Sequence, residues 1–272
     1  MMELSICVLT YNSERLIREV LTPLLTLSDD IVIVDSGSSD NTLAICRELG
    51  CEPHHAPYET HGRQMNLAIQ RARHPWVLCM DSDEIMDAQA LCWLLQFKLV
   101  PNPDPHTAWR LCRHWFVLGQ PVRTIYPVSS PDFPVRLFHR NVVRFNDQPV
   151  DDAAEGFSRT EIIPGSVRHD TFYSLHEVFT KANSYTTRLV KYKPITPSLW
   201  RGIASAIGAL FKWYFFSGAW REGKVGVVTG SYAVLYSFLK YLKAWYASTE
   251  TMTLADKLKQ QWEKIRRIYP AP

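Results

Sequence analysis

The sequence predicts an α/β fold: a mostly parallel sheet with helices on both faces, followed by a C-terminal helical region. Three observations predict it. Between residues 4 and 90, short continuous apolar runs alternate with stretches of helical periodicity, the pattern of strands buried on both sides by crossover helices. The polar residues of that stretch gather at the carboxyl ends of the apolar runs, where open α/β sheets bind ligands. Composition then shifts. Residues 191–272 hold 13 Lys and Arg against 4 Asp and Glu, with 16 of the 33 aromatic residues, whereas residues 1–190 hold 17 against 23. The chain is therefore read as two regions, 1–190 and 191–272, with different partners.

The elements follow in order. Residues 4–9, "LSICVL", read as a buried strand. "SERLIREVLTPLLT" has helical spacing, with Ser13 as a candidate N-cap. "DDIVIVD" is a second strand ending at Asp35. "SGSSDNTLAICRELG" turns into a helix that Ser39 or Asp40 could cap and Gly50 could end. "GRQMNLAIQRARHP" is a third helix, and "WVLCMD" a further buried strand. Beyond residue 100, "AWRLCRHWFVLGQPVR" reads as one strand or a hairpin near Gly119, "FPVRLFHR" as a strand, and "SLHEVFTKANSYTTRLVKY" as a helix. From 200, two helical sets recur: Trp200, Ile203, Ile207, Leu210, Tyr214, then Tyr232, Leu235, Leu239, Leu242, Trp245. A final helix is expected to pack through Leu254, Leu258, Ile265 and Tyr269.

Composition narrows the class. With 46% hydrophobic and 21% charged residues the chain is globular, not disordered. Six cysteines without a CxxC pair read as reduced core thiols rather than a zinc site. The segment "MMELSICVLTYN" has no basic region followed by a long apolar stretch, so no signal peptide is expected. No uncharged apolar run reaches the roughly 18 residues of a membrane span; the nearest is "VGVVTGSYAVLYSFL", 225–239.

The most informative stretch is "DSDE", 81–84, at the end of a buried strand. On an extended segment Asp81 and Asp83 share a face. Two close carboxylates repel unless a proton or cation accompanies them. Mg2+ or Mn2+ prefers oxygen ligands and completes its shell with phosphate oxygens. The alternative is that Asp81, Asp83 and Glu84 cap the following helix. Thr10, Tyr11, Asn12, Asp35 and Ser36 lie at neighbouring strand ends.

"SICVLTYN", "IVIVDSGSSDNT" and "WVLCMDSDE" resemble, in order and spacing, the successive signatures of family 2 glycosyltransferases. Those enzymes have a GT-A fold and use nucleotide-diphosphate sugars. The resemblance covers residues 3–90 strongly. It implies that Thr10, Tyr11 and Asn12 line the nucleotide pocket, that Asp35 accepts from a uracil-type base with Ser36 beside it, and that Asp40 steadies the loop after the second strand. Asp81 and Asp83 match the family's D-x-D, with Asp83 the better candidate for direct metal contact and Ser82 beside the donor. In "GRQMNLAI", Gln64 and Asn66 match a segment on the diphosphate side. Met65 stands where the family has a basic residue, and Arg63 is the candidate to compensate.

"FVLGQPVR", "RLFHR" and "RHDTFYSLHEVFTKANSYT" resemble bacterial lipopolysaccharide core β-1,4-glucosyltransferases. This implies inverting transfer of a hexose, glucose first, from a UDP-sugar, with Mg2+ or Mn2+, to an inner-core acceptor. The relatives' Val-His-Glu segment corresponds to "PVDDAAEG". Val150 matches, Asp151 replaces the His, and Asp152 stands at the acid, so Asp152 is the first candidate base and Asp151 the second. His169, in "RHDTFY", is a candidate for the metal or the donor phosphates. "HGRQ" and "PHHAP" read as loop residues. The basic aromatic region 200–246 suits a membrane surface and hence a membrane-anchored glycan acceptor. The expected location is the cytoplasm, peripheral on the inner face of the inner membrane. The alternative to membrane association is a helical subdomain that packs on the catalytic domain or forms a dimer. No nucleic-acid motif is seen. The alternatives are a polyprenyl-phosphate or other surface-glycan acceptor, and a catalytically dead sugar-nucleotide-binding scaffold. A nucleotidyltransferase would show a Gly-rich basic loop after the first strand, and "TYNSER" is not one.

Overall fold

The computed structural model of the protein describes residues 2–249, 258 and 261–263. Of the expected final helix, only Leu258 and residues 261–263 lie among them, and Leu258 is exposed. The elements are β1 (Leu4–Thr10), α1 (Ile17–Leu24), β2 (Asp30–Asp35), α2 (Thr42–Glu48), β3 (His54–His55), α3 (His61–Arg71), β4 (Trp76–Asp81), β5 (Glu84–Met86) and α4 (Ala88–Phe97). There follow β6 (Thr107–Arg110), β7 (Arg113–Val117), β8 (Gln120–Pro121), β9 (Thr124–Ile125), β10 (Val128–Ser129), β11 (Val135–His139), β12 (Arg144–Phe145), β13 (Ala154–Glu155), β14 (Arg159–Ile162) and β15 (Val167–Phe172). The chain closes on α5 (Leu175–Tyr192), α6 (Leu199–Ala209) and α7 (Gly223–Thr249).

The main sheet has the order β14-β6-β11-β4-β1-β2-β3. Strands β3, β2, β1 and β4 run parallel, β11 is antiparallel to β4, and β6 is antiparallel to β11. The alternation of β1 sorts its side chains. Leu4, Ile6 and Val8 join α1 and α4 on one face, while Cys7 joins Val34 and α3 residues Met65, Ala68 and Ile69 on the other. Both faces are thus sealed, which is why these strands read as continuous apolar runs. The sheet therefore sets the ends of β1, β2 and β4 side by side. A smaller sheet, β5-β15-β7-β8, stands next to them.

Several local expectations change. Ser13 does not cap α1 by its side chain; Leu16 occupies the cap, and the Ser13 hydroxyl accepts from the Tyr11 amide and pairs with the Ser82 hydroxyl. The acids of "DSDE" do not cap α4, because β5 intervenes and Asp87 takes the Ala90 amide. The stretch 108–123 is two strands in different sheets, β6 and β7, with a tight turn to β8. Helix α5 runs past the boundary drawn at 190, and a shared core links Val117, Phe172 and Val178 to Val225, Tyr232 and Tyr236 of α7. The span from Ala219 to Ser248 is long and apolar enough to cross a membrane by length and composition, with 44% of its most apolar stretch buried inside the protein.

Asp35 organises the ends of β1 and β2. Its carboxylate accepts from the Thr10 hydroxyl at 2.9 Å, the Gly37 and Ser38 amides at 2.8 Å each, and the Ser38 hydroxyl. Burial works to raise its pKa, but these donors outweigh burial and hold it below the ordinary carboxylate range. A depressed pKa stabilises the fold above the unfolded value near 4, and that contribution is lost as pH falls through the folded value. Asp35→Asn is expected to cost about 2 kcal/mol at neutral pH and to flatten the acid limb below about pH 4. Urea unfolding of both proteins across pH checks this.

Candidate active site

The loops after β1 and β2 are knitted together by side chains. Asn12, in the left-handed region at φ 48°, accepts the Ser39 amide and donates its own amide to the Ser38 hydroxyl. Asp40 accepts the Glu14 and Thr42 amides. The Ser13–Ser82 contact at 2.7 Å ties this loop pair to the D-x-D turn. Thr10 and Asp35 are buried, Ser36 is partly buried, and Tyr11 is exposed.

The three acids of "DSDE" are driven apart in role by their neighbours. Glu84 is fully buried and accepts from Arg113 at 2.7 Å and Arg136 at 3.0 Å. Asp81 pairs through Oδ2 with Arg136 at 2.6 Å and through Oδ1 with His61 at 3.1 Å. Burial opposes ionisation of Asp81, but Arg136, His61 and Arg113 outweigh it and hold its carboxyl well below the usual range. Arg113 is itself pinned by a two-pronged contact with Asp132, at 2.9 and 2.6 Å. Asp83 stands apart from the arginines. Its Oδ2 meets Nε2 of His169 at 3.1 Å, and its Oδ1 has no hydrogen bond among the described residues. Burial pushes the Asp83 pKa up, and the neighbouring His169 and Lys181 bring it below the ordinary value. His169 is placed by β15: it lies opposite Glu84 of β5, and the next amide, that of Asp170, donates to the Asp83 carbonyl. Its ring packs on Trp115 with centroids 4.2 Å apart, and its buried Nδ1 has no hydrogen-bond partner among the described residues.

His61 completes the cluster. It is the first residue of α3, capped by Thr60. Nδ1 meets Asp152 at 2.7 Å and Nε2 meets Asp81 at 3.1 Å. Burial and a helix N-terminus both disfavour a charged imidazole, the latter by roughly 0.3–1 kcal/mol. Two carboxylates outweigh them, and the pKa is pushed up to about 10. The 146–152 loop reaches this point because Gly62 has no side chain. A Cβ there would lie 2.4 Å from the Asn146 carbonyl. Asn66 fixes the same loop, donating to the Phe145 carbonyl at 2.7 Å and accepting its amide at 3.0 Å.

The structure separates the other sequence candidates. Asp152 is mostly buried in the cluster, whereas Asp151, at φ 61°, points outward to Lys193. Gln64 is buried and donates to the Ala56 and Pro57 carbonyls. Met65 is fully buried against the sheet, so that position of α3 faces the core and offers nothing to a diphosphate. Arg63 does not take over: it is exposed and paired with Glu59 and Asp147. The sequence reading took His61 for a loop residue, whereas it opens α3, and it did not single out Arg113 or Arg136. For Arg136 the signal existed, since one charge inside the apolar run "FPVRLF" must find a buried partner. For His61 there was none, because its partners are 20 and 91 residues away.

Asp83 and His169 fit a hard divalent cation that completes its shell with substrate oxygens. One Asp83 oxygen is unengaged and Nε2 of His169 is aimed at the other. Asp81, expected beside them, has both oxygens committed to His61 and Arg136. Among the described residues no group of three or more His, Cys, Asp or Glu is arranged to hold a metal, so a cation at Asp83 and His169 would take its remaining ligands from substrate or water.

Residues 5–104 match the family model described as glycosyl transferase family 2. The lipopolysaccharide core biosynthesis glycosyltransferase LpsC of Rhizobium meliloti (strain 1021) is 26% identical over 258 residues, which is 88% of this chain and 91% of that protein. An uncharacterized glycosyltransferase of Rickettsia typhi is 22% identical over 70% of this chain and 68% of its own length. Among solved structures, glucosyl-3-phosphoglycerate synthase from Mycobacterium tuberculosis in complex with Mn2+, UDP and phosphoglyceric acid is 15% identical, with TM-score 0.48 over 72% of this chain and 81% of that one. That likeness is too distant to assign any residue. Residues 5–104, which include the parallel β3-β2-β1-β4 core of this GT-A fold, thus match glycosyl transferase family 2, and over most of its length the chain is similar to a lipopolysaccharide core enzyme.

Proposed function

We propose that this glycosyltransferase is an inverting, metal-dependent hexosyltransferase. It moves a hexose, glucose first, from a UDP-sugar to a lipopolysaccharide inner-core acceptor at the cytoplasmic face of the inner membrane. The observation that carries the chemistry is the convergence of Asp152 on the D-x-D turn through His61. It brings the Asp152 carboxylate, whose Oδ1 has no hydrogen bond among the described residues, within one side chain of the D-x-D turn whose Asp83 would serve the departing diphosphate. The likeness to LpsC supports the acceptor class.

In this reading the acceptor hydroxyl gives its proton to Asp152 as its oxygen forms a bond to the anomeric carbon. The bond from that carbon to the diphosphate breaks on the opposite face, and UDP leaves with the electron pair. Asp83 and His169 would hold the cation, which when bound supplies positive charge to the leaving diphosphate. His61, doubly paired, orients the Asp152 carboxylate. Arg136 and Arg113 pair with Asp81 and Glu84 and hold them in place. Positioning and electrostatics supply most of the acceleration, since the leaving group is already activated.

The test is UDP release from a panel of UDP-sugars with Mg2+ or Mn2+ and truncated lipopolysaccharide core, comparing wild type with Asp83→Ala. Release from one donor that needs metal, core and Asp83 supports the reading. A loss of at least about 100-fold in Asp83→Ala is expected if it holds the cation. Release with polyprenyl phosphate instead overturns the acceptor and keeps the chemistry. Nucleotide binding without release from any acceptor returns the scaffold alternative.

A further inference from the structure

Helix α6 and the turn after it carry their apolar stripe outward. Residues Trp200, Ile203, Ile207, Phe211 and Phe215 recur at helical spacing, the pattern that on a soluble protein normally faces a core. Here every one is exposed, Trp200 at 79%. The helix continues into a π-helical stretch, Leu210–Phe216, in which five of the seven residues are aromatic and none is buried. Phe216 at its end is 83% exposed, and Trp220 is exposed close by.

The stripe does not stand alone. Between this element and α7 runs an apolar groove of about 600 Å3, lined by Ile207, Leu210, Tyr214, Val227, Val234 and Phe238 among others. Its floor depends on Gly230, where a Cβ would lie 2.6 Å from the Tyr214 ring. The surrounding charge has one sign. From 199 to 249 the chain has six Lys and Arg and one acid, Glu222, which is turned inward to Arg123. Arg201, Lys212, Arg221 and Lys224 are exposed, and Lys212 and Arg221 lie over the rings of Trp213 and Trp220.

An exposed aromatic stripe flanked only by cations is complementary to one kind of surface: apolar within and anionic at its rim. We propose that α6, the π-helical stretch and the adjoining groove form a docking surface for an anionic bilayer. Trp200, Phe211, Phe215 and Phe216 enter the interface, and Arg201, Lys212 and Lys224 meet lipid phosphates. The surface is coupled to the site through the fold. The same strand region that carries Arg113 and Trp115 reaches this helical unit, with Tyr126 against Trp213 and Arg123 against Glu222. Docking here therefore fixes the orientation of the strand ends relative to the membrane. It deepens, and in that respect rests on, the membrane placement proposed above, but not on the identity of the sugar or the acceptor.

The test uses the full chain with phosphatidylcholine vesicles, with and without a roughly one-third share of phosphatidylglycerol, in a sedimentation assay. Two variants are compared: Trp200→Ser/Phe211→Ser/Phe216→Ser and Arg201→Glu/Lys212→Glu/Lys224→Glu. All six side chains are exposed, so far-UV circular dichroism and melting temperature should match wild type. Wild type is expected to bind the anionic vesicles at least about tenfold more strongly than the neutral ones, in a salt-sensitive manner. Each variant is expected to lose about tenfold or more. Equal binding to both vesicle types, or unaltered binding by the serine variant, overturns the proposal. So does a wild-type dimer in sedimentation velocity that the serine variant converts to a monomer, since the stripe would then be covered by a second copy. UDP release with a soluble acceptor is measured on the same samples. Release that persists while vesicle binding fails removes the docking surface and leaves the transfer reading intact.

Discussion

Asp152→Asn is expected to lower kcat by about 100- to 10,000-fold and to leave UDP binding near its wild-type level. Asn keeps the size of the side chain and its contact with His61, but it cannot take a proton from an acceptor hydroxyl. Asp152 Oδ2 is held by His61, while Oδ1 has no hydrogen bond among the described residues and is the oxygen available to the acceptor. Asp151→Asn is expected to change kcat by no more than a few fold, because its carboxylate is exposed and spent on Lys193, a surface pair worth roughly 0–1 kcal/mol. Steady-state UDP release and calorimetric UDP binding separate the two effects. If Asp151→Asn were the inactive protein, the base would have to come from a rearranged 146–152 loop. Should both remain active, neither aspartate is the base.

Arg136→Ala has the largest expected effect on stability, a loss of about 3–5 kcal/mol. The guanidinium is buried, and a single nitrogen serves Asp81 at 2.6 Å and Glu84 at 3.0 Å. Removing it leaves two carboxylates together, one of them fully buried. Arg113 moderates the loss, since it already bonds Glu84 at 2.7 Å, but at 3.8 Å it is a weaker partner for Asp81. The lower end of the range is therefore expected. Arg136→Lys should recover part of it, because one ammonium can serve both acceptors that one nitrogen serves now. Urea unfolding at neutral pH measures all three proteins. A cost in Arg136→Ala below about 1 kcal/mol, the level of an exposed pair, would mean that the charge network relaxes and does not hold Asp81 in place. Arg136→Lys as damaging as Arg136→Ala would show that the planar fork, rather than the charge, matters.

The D-x-D turn was legible because its meaning is local. A run of apolar residues that stops at two acids tells of a strand end; the shared face expected from strand alternation does not apply, because β4 ends at Asp81 and Asp83 lies in the turn before β5. The division of labour between them was not legible. Asp81 is neutralised by Arg136 and His61, and Asp83 is left with His169, only because β11, α3 and β15 arrive from far along the chain. The same holds for Met65. In the sequence it occupies a position where a basic residue was expected, and in the structure that position faces the core of the sheet.

The sequence by itself determined the parallel core, the strand ends that line the site, the two adjacent acids and the basic aromatic character of residues 200–246. These are properties of spacing and composition, carried by neighbours a few residues apart. Only the tertiary structure decided which of Asp151 and Asp152 faces the cluster, that His61 joins Asp152 to Asp81, and that the apolar stripe of α6 and the π-helical stretch faces outward rather than into a core. Each of these depends on groups brought together by closure of long loops. Helical spacing defines a stripe but not its direction, and two adjacent aspartates in a loop are equivalent until backbone dihedrals such as the φ of 61° at Asp151 turn one out and its neighbour in.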